Sequence, residues 1–304
     1  MLTLVLALLP AADPVTIATQ AEVRAVAVSP DAKTLAVGDG NAVRVFDRAT
    51  GKELLALRGP QGAVAALAYA PDGKRLFVAA LDGTVAAWDA ATGQQVWKLT
   101  GGQQPPAVRA VAAGPDGRKV AAALEDGKVL LLDAATGKIV AQADAHNRAA
   151  TGVAVSPDGK LVASLGEDGK LVIWDAATLK HLKRIDAHDR AGRAVAFSPD
   201  GTRLVTGADD RTVKVWDADV GREVRKLEGH RMAVLAVAYS PDGKLVASGG
   251  EDGAVTVWET DTGKAVAHPG THRGPVNCIR FSPDGRHLVT GGDDKAVKAW
   301  PVGQ

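Results

Sequence analysis

A turn tripeptide recurs along the chain at a nearly constant interval. Pro-Asp-Gly, relaxed to Pro30-Asp31-Ala32 in its first copy, begins at Pro30, Pro71, Pro115, Pro157, Pro199, Pro241 and Pro283, at spacings of 41, 44, 42, 42, 42 and 42 residues. A period in this range marks an array in which each unit buries its apolar face against the next. Seven such units fill residues 14–304 of the 304-residue chain. Between them lies neither a second domain nor a Ser/Gly linker.

Each unit has the same local grammar, and residues 146–180 serve as the example. Val153-Ala154-Val155 and Leu161-Val162-Ala163 read as short strands, alternating with period two. Between them, Ser156-Pro157-Asp158-Gly159 supplies a residue with φ preset by its ring, one that tolerates the second turn position, and a glycine for the left-handed conformation. A second turn, Glu167-Asp168-Gly169-Lys170, leads into Leu171-Val172-Ile173-Trp174, and Asp175-Ala176-Ala177-Thr178 turns into a fourth strand. No segment carries a helical period. Four short strands per unit in seven units predict an all-β fold, a single seven-bladed β-propeller of four-stranded antiparallel blades. After Trp300 too little chain remains for an outer strand in the last blade. The segment Pro14-Val15-Thr16-Ile17-Ala18 has the shape of that strand, so it is expected to pair with residues 296–300 and close the ring.

With these residues in place, the chain resembles the WD-repeat (WD-40) β-propeller family over about 95% of its length. The Trp-Asp dipeptide stands at Trp88-Asp89, Trp174-Asp175 and Trp216-Asp217, and is relaxed to Phe46-Asp47, Leu132-Asp133, Trp258-Glu259 and Trp300-Pro301. Gly229-His230 keeps the Gly-His element, while Ala145-His146, Ala187-His188 and Thr271-His272 keep its histidine, always 28 residues before the Trp. The resemblance implies four structural tetrads: His146-Ser164-Asp168-Trp174, His188-Thr206-Asp210-Trp216, His230-Ser248-Asp252-Trp258 and His272-Thr290-Asp294-Trp300. A buried indole N–H and a buried imidazole each need partners, and a hydroxyl can serve both.

A His-Ser-Asp set invites a hydrolase reading, but four copies in four blades argue for scaffolding, and no oxyanion-hole loop accompanies them. GxSxG, HExxH and GxxxxGK[ST] are all missing from the sequence. His181, His268 and His287 fall off the pattern, so no metal site, cofactor or catalytic residue is expected, and the chain is read as a non-enzyme. The first three units depart from the tetrad: Pro60, Val78, Asp82 and Trp88 in blade two; Gln104, Ala122, Asp126 and Leu132 in blade three; Thr19 and Phe46 with an irregular Asp39-Gly40-Asn41 turn in blade one. Apolar packing is expected to replace the network in these blades.

Composition narrows the partners. Lys plus Arg is 36 and Asp plus Glu is 35, for a net charge of +1. That balance argues against a nucleic-acid binder, which needs a basic stripe. The single cysteine, Cys278, precludes an intramolecular disulfide and a Cys-rich zinc site. Residues 2–9, LTLVLALL, are too short to span a bilayer, so no integral membrane segment is expected. Residues 1–13 form an apolar leader with the flavour of a signal segment. It favours export or a periplasmic location over the cytoplasm, and richness in Ala, Val, Gly and Arg fits a bacterial source.

The functional expectation is a monomeric, non-catalytic scaffold that binds a protein or peptide on the top face, the usual binding face of the resembled family. Two positions per blade reach that rim. One gives Arg24, Ala65, Arg109, Thr151, Arg193, Leu235 and Asn277; the other gives Leu81, Glu125, Glu167, Asp209, Glu251 and Asp293. Arg24, Arg109 and Arg193 are expected to be the principal anchors inside an acidic collar, with Leu235 adding an apolar contact and Asn277 a hydrogen bond. The alternative is a propeller enzyme or a Ca²⁺-dependent module using the central channel, because hard cations favour several oxygen ligands.

Overall fold

The computed structural model describes residues 15–100 and 104–302; the apolar leader lies outside the described residues. Strands pair into seven four-stranded sheets, one per blade. Blade four shows the pattern, with Ala150–Val155 innermost, then Leu161–Gly166, Lys170–Asp175 and His181–Asp186, each antiparallel to the last. Innermost strands pack blade against blade, and Val23–Val28 of blade one meets Val276–Phe281 of blade seven, so the ring closes.

Local chemistry makes the blades. In the Pro-Asp-Gly turn, the Ser156 hydroxyl donates to Asp158 at 2.6 Å, and the Lys160 amide donates to the same carboxylate at 3.0 Å. Gly159 takes φ +71°, a conformation that costs glycine nothing. The Asp after the blade Trp builds the next turn: the Thr178 amide and hydroxyl donate to Asp175 at 2.9 and 2.6 Å. The Trp-Asp pair thus couples a core side chain to a turn former, and the same bonds recur from Thr92 to Asp89 and from Thr136 to Asp133.

The core lies between blades. Leu165 and Ile173 of blade four pack with Leu204 and Trp216 of blade five, and equivalent clusters fill the other gaps. Close approach explains three glycines on second strands. A Cβ on Gly207, Gly249 or Gly291 would stand 2.6, 2.6 or 2.4 Å from Val234, Val276 or Val23 of the following blade.

Ring closure follows the sequence expectation. Val15–Ala18 pairs antiparallel with Ala296–Pro301, matching Val15 to Ala299 and Ala18 to Ala296, and supplies the outer strand of blade seven. Among the described residues, no helix is long and apolar enough to cross a membrane.

Candidate functional site

The histidines form the four tetrads implied by the repeat. In blade four, Trp174 Nε1 donates to Ser164 Oγ at 3.0 Å, Ser164 Oγ lies 2.9 Å from His146 Nε2, and His146 Nδ1 lies 2.9 Å from Asp168. Blades five, six and seven repeat the chain, with indole-to-hydroxyl distances of 2.8, 2.8 and 2.9 Å. A carboxylate beside Nδ1 selects the Nδ1–H tautomer, which leaves Nε2 to accept from the hydroxyl. Ser164, Thr206, Ser248 and Thr290 have no solvent exposure, so no substrate carbonyl can reach these hydroxyls.

Burial sets the protonation of this network. Burial depresses the pKa of His146 and His272, overriding the adjacent Asp168 and Asp294, so both stay neutral in the fold. For Asp210, burial pushes upward, but hydrogen bonds from His188 and Thr212 outweigh it and hold the carboxyl well below its ordinary range. Unfolding restores an ordinary histidine, near pH 6.5. Above that pH both states of His146 and His272 are neutral and their contribution is complete. As pH falls below about 6.5, the unfolded chain takes protons that the folded chain refuses, and stability drops by up to about 1.4 kcal/mol per pH unit for each group. Urea midpoints measured from pH 7.5 to 5 should therefore decline below about pH 6.5. A midpoint flat to pH 5 would contradict neutral, buried His146 and His272.

Blades one to three solve the same problem in different ways. In blade two, Val78 replaces the hydroxyl, and the buried Trp88 Nε1 has no hydrogen-bond partner among the described residues. In blade three, Leu132 and Ala122 pack with Trp97, which arrives from the outer strand of blade two and donates to the Ala134 carbonyl at 2.9 Å; Gln104 stays exposed. Blade one packs Phe46 against Val37 and Leu35 in an apolar cluster and adds a polar network that the sequence did not suggest. Asp39 ends its strand buried, accepts the Gln20 and Ala21 amides at 3.0 and 2.6 Å, and pairs with Arg44 Nε at 3.0 Å. The strand ends at Asp39 itself, which turns its carboxylate into the preceding loop.

On the top face, Arg24, Ala65, Arg109, Thr151, Arg193, Leu235 and Asn277 converge with Leu81 on one mouth of about 180 Å³. Arg193 grips Asp209 with two bonds of 2.6 Å and reaches Glu167 at 3.5 Å, and Arg109 pairs with Glu125. The Asp209 hydrogen bonds raise the Arg193 pKa further, and Arg109 lowers that of Glu125. Arg24 pairs with Glu22 at 2.7 Å rather than with a collar acid. Asn277 is committed to Asp293 and the Val23 carbonyl, at 2.6 and 3.1 Å. Among the described residues, no cluster of three or more His, Cys, Asp or Glu could hold a metal ion.

Beside the mouth lies a depression of about 390 Å³ between blades five and six. Arg190, Arg211 and Arg231 line it with Met232, Leu235 and Glu251. These three arginines are exposed, and none forms an ion pair among the described residues, while Met232 is 46% exposed. Arg211 sits at φ +69°, where blades two, three, four and six place Gly83, Gly127, Gly169 and Gly253. The rim reading missed this group because it followed two positions per blade and passed over the turn residue between them. An arginine in a glycine slot was its visible signal.

The channel below the mouth has one irregularity. At the fifth position of the innermost strands, six blades carry Ala27, Ala68, Ala112, Ala154, Ala196 and Ala238, and blade seven carries Arg280. Arg280 borders both an upper chamber of about 120 Å³ and a lower one of about 470 Å³.

Two family models match the chain. The one described as outer membrane protein assembly factor BamB covers residues 12–226, and the one described as WD domain, G-beta repeat covers residues 221–259 and 263–301. No curated protein matches it. With the BamB-type match spanning most of the ring, WD repeats in the last blades, and seven four-stranded blades carrying four His-Ser/Thr-Asp-Trp tetrads, the chain belongs to the repeat β-propellers of the BamB and WD-repeat families.

Proposed function

We propose that this protein is a non-catalytic interaction module whose top face binds an acidic segment of a partner protein. The observation that supports this most is the set of arginines around Met232. Among the described residues, Arg190, Arg211 and Arg231 have no carboxylate partners, although the chain carries nearly as many acids as bases. Holding Arg211 in the left-handed region costs about 1–2 kcal/mol that glycine would avoid. That cost brings no ion pair among the described residues. Met232 and Leu235 would add the apolar contact, and Arg with an exposed apolar neighbour is the usual composition of an interface centre.

The collar refines the choice of anchors. Arg193 and Arg109 hold carboxylates in the free protein, so they would position the mouth, while the unpaired arginines meet the partner's acids. The Arg193 pair is about one-third exposed, which makes Arg193→Ala a risk to stability as well as to binding.

A peptide-display library panned on the purified chain tests the reading. Selected peptides should carry Asp or Glu beside an apolar residue. The triple variant Arg190→Ala, Arg211→Ala, Arg231→Ala should weaken them by at least about tenfold, a 1.4 kcal/mol effect. The bottom-face variant Lys244→Ala should leave them unchanged. Peptides without acids, or acidic peptides indifferent to the triple variant, would overturn the assignment.

A further inference from the structure

The channel carries an arginine with no counter-ion among the described residues. Arg280 faces the channel and is exposed to the water that the channel brings to the axis. Its guanidinium donates to the Ile279 carbonyl at 2.8 Å, and no carboxylate among the described residues pairs with it. A guanidinium presents five donors and stays protonated at any ordinary pH, so most of its bonding capacity is left to water or a ligand.

Most side chains below the arginine are apolar, with Ser198 and Ser240 among them. The lower chamber, about 470 Å³, is walled by Tyr69, Phe197, Tyr239 and Phe281 with alanines above them. That volume lies in the range of small-molecule sites. Tyr239 adds an unusual feature, a buried hydroxyl with no hydrogen-bond partner among the described residues. Tyr69, at the same position in blade two, bonds the Thr34 hydroxyl at 3.1 Å. A mostly apolar chamber with one fixed cation at its inner end matches one kind of molecule, an apolar body ending in an anion.

We propose that the lower channel is a binding site for a small amphiphilic organic acid, with its carboxylate on Arg280 and its apolar body against the aromatic wall. The guanidinium would take the carboxylate through two parallel hydrogen bonds, the geometry in which arginine exceeds lysine. The site is separate from Arg190, Arg211 and Arg231 and does not depend on their role, although Arg280 also borders the upper chamber that Arg24, Arg109 and Arg193 line.

Calorimetric titration of the full chain with octanoate, below its micelle threshold, tests the site. The expected result is saturable binding of one octanoate per chain. Octan-1-ol, which has the same chain without the charge, and acetate, which has the charge without the chain, should each bind at least about tenfold more weakly. Arg280→Ala, which gives blade seven the alanine of the other six, should cause a loss of the same size, with an unchanged melting temperature. Arg280→Gln keeps the length and polarity of the side chain; it should lose binding as well and serves if the alanine variant fails to fold. Absence of octanoate binding would overturn the proposal. So would octan-1-ol or acetate binding as tightly as octanoate, or octanoate binding undiminished in the folded variant.

Discussion

Removing residues 14–19 is expected to yield a chain that aggregates, or that melts at least about 10 °C below the full-length protein. The segment looks dispensable by burial alone, because Val15 is 57% exposed and only Ile17 reaches the core, beside Val23, Val37 and Val297. Its weight lies in what it covers. Ala296–Pro301 would become the edge of an open sheet, and edges of that kind recruit other chains. Each lost ladder hydrogen bond costs about 1 kcal/mol net, and the burial of Ile17 adds about 1.5–2 kcal/mol. Thr19 also donates to the Lys295 carbonyl at 2.9 Å, locking the turn that precedes the same strand. With 2–4 °C per kcal/mol for a chain somewhat smaller than this one, the sum reaches the stated shift. Scanning calorimetry and light scattering on the deletion variant check it. A soluble variant melting cooperatively within about 3 °C of the full chain would remove the strand from the closure of the ring.

Blade number, strand count and closure were legible because they rest on local chemistry repeated many times. A Pro-Asp-Gly turn needs only its own residues, and seven copies leave little freedom in the architecture. The tetrads were legible for a related reason: a fixed distance from His to Trp reflects a fixed path through the blade. Where a residue answers to a neighbour in another repeat, the sequence was silent. Nothing in the text of the chain says that Trp97, off the Trp register, fills the interface with blade three, or that Asp39 pairs with Arg44. Pairing on the top face is similar, since which carboxylate reaches Arg193 depends on how adjacent loops lean. Arg280 is an intermediate case. Its oddness is plain once the seven innermost strands are stacked, but its surroundings emerge only when the ring closes around it.

Breaking one tetrad should cost far more than its single hydroxyl suggests, and blade two supplies the internal control. Ser248→Ala removes the acceptor of Trp258 Nε1, at 2.8 Å, and the partner of His230 Nε2, at 2.8 Å. Both groups would be left buried without a bond, at about 1–3 kcal/mol each, so a total of about 2–4 kcal/mol is expected after local relaxation. Removing the tryptophan instead separates packing from hydrogen bonding. Trp258→Phe and Trp88→Phe delete the same atoms from buried sites that are 2% and 6% exposed. The first strands Ser248, whereas the second strands nothing, because Val78 gives Trp88 Nε1 no partner to lose. Trp258→Phe should thus destabilise by about 1–2 kcal/mol more than Trp88→Phe, and that difference is the hydrogen bond's share. Urea unfolding of the two variants at pH 7.5, where His146 and His272 stay neutral in both states, gives the comparison without contribution from their protonation. Equal losses would mean that the tetrads add packing alone, and that the departures in blades one to three cost the ring nothing.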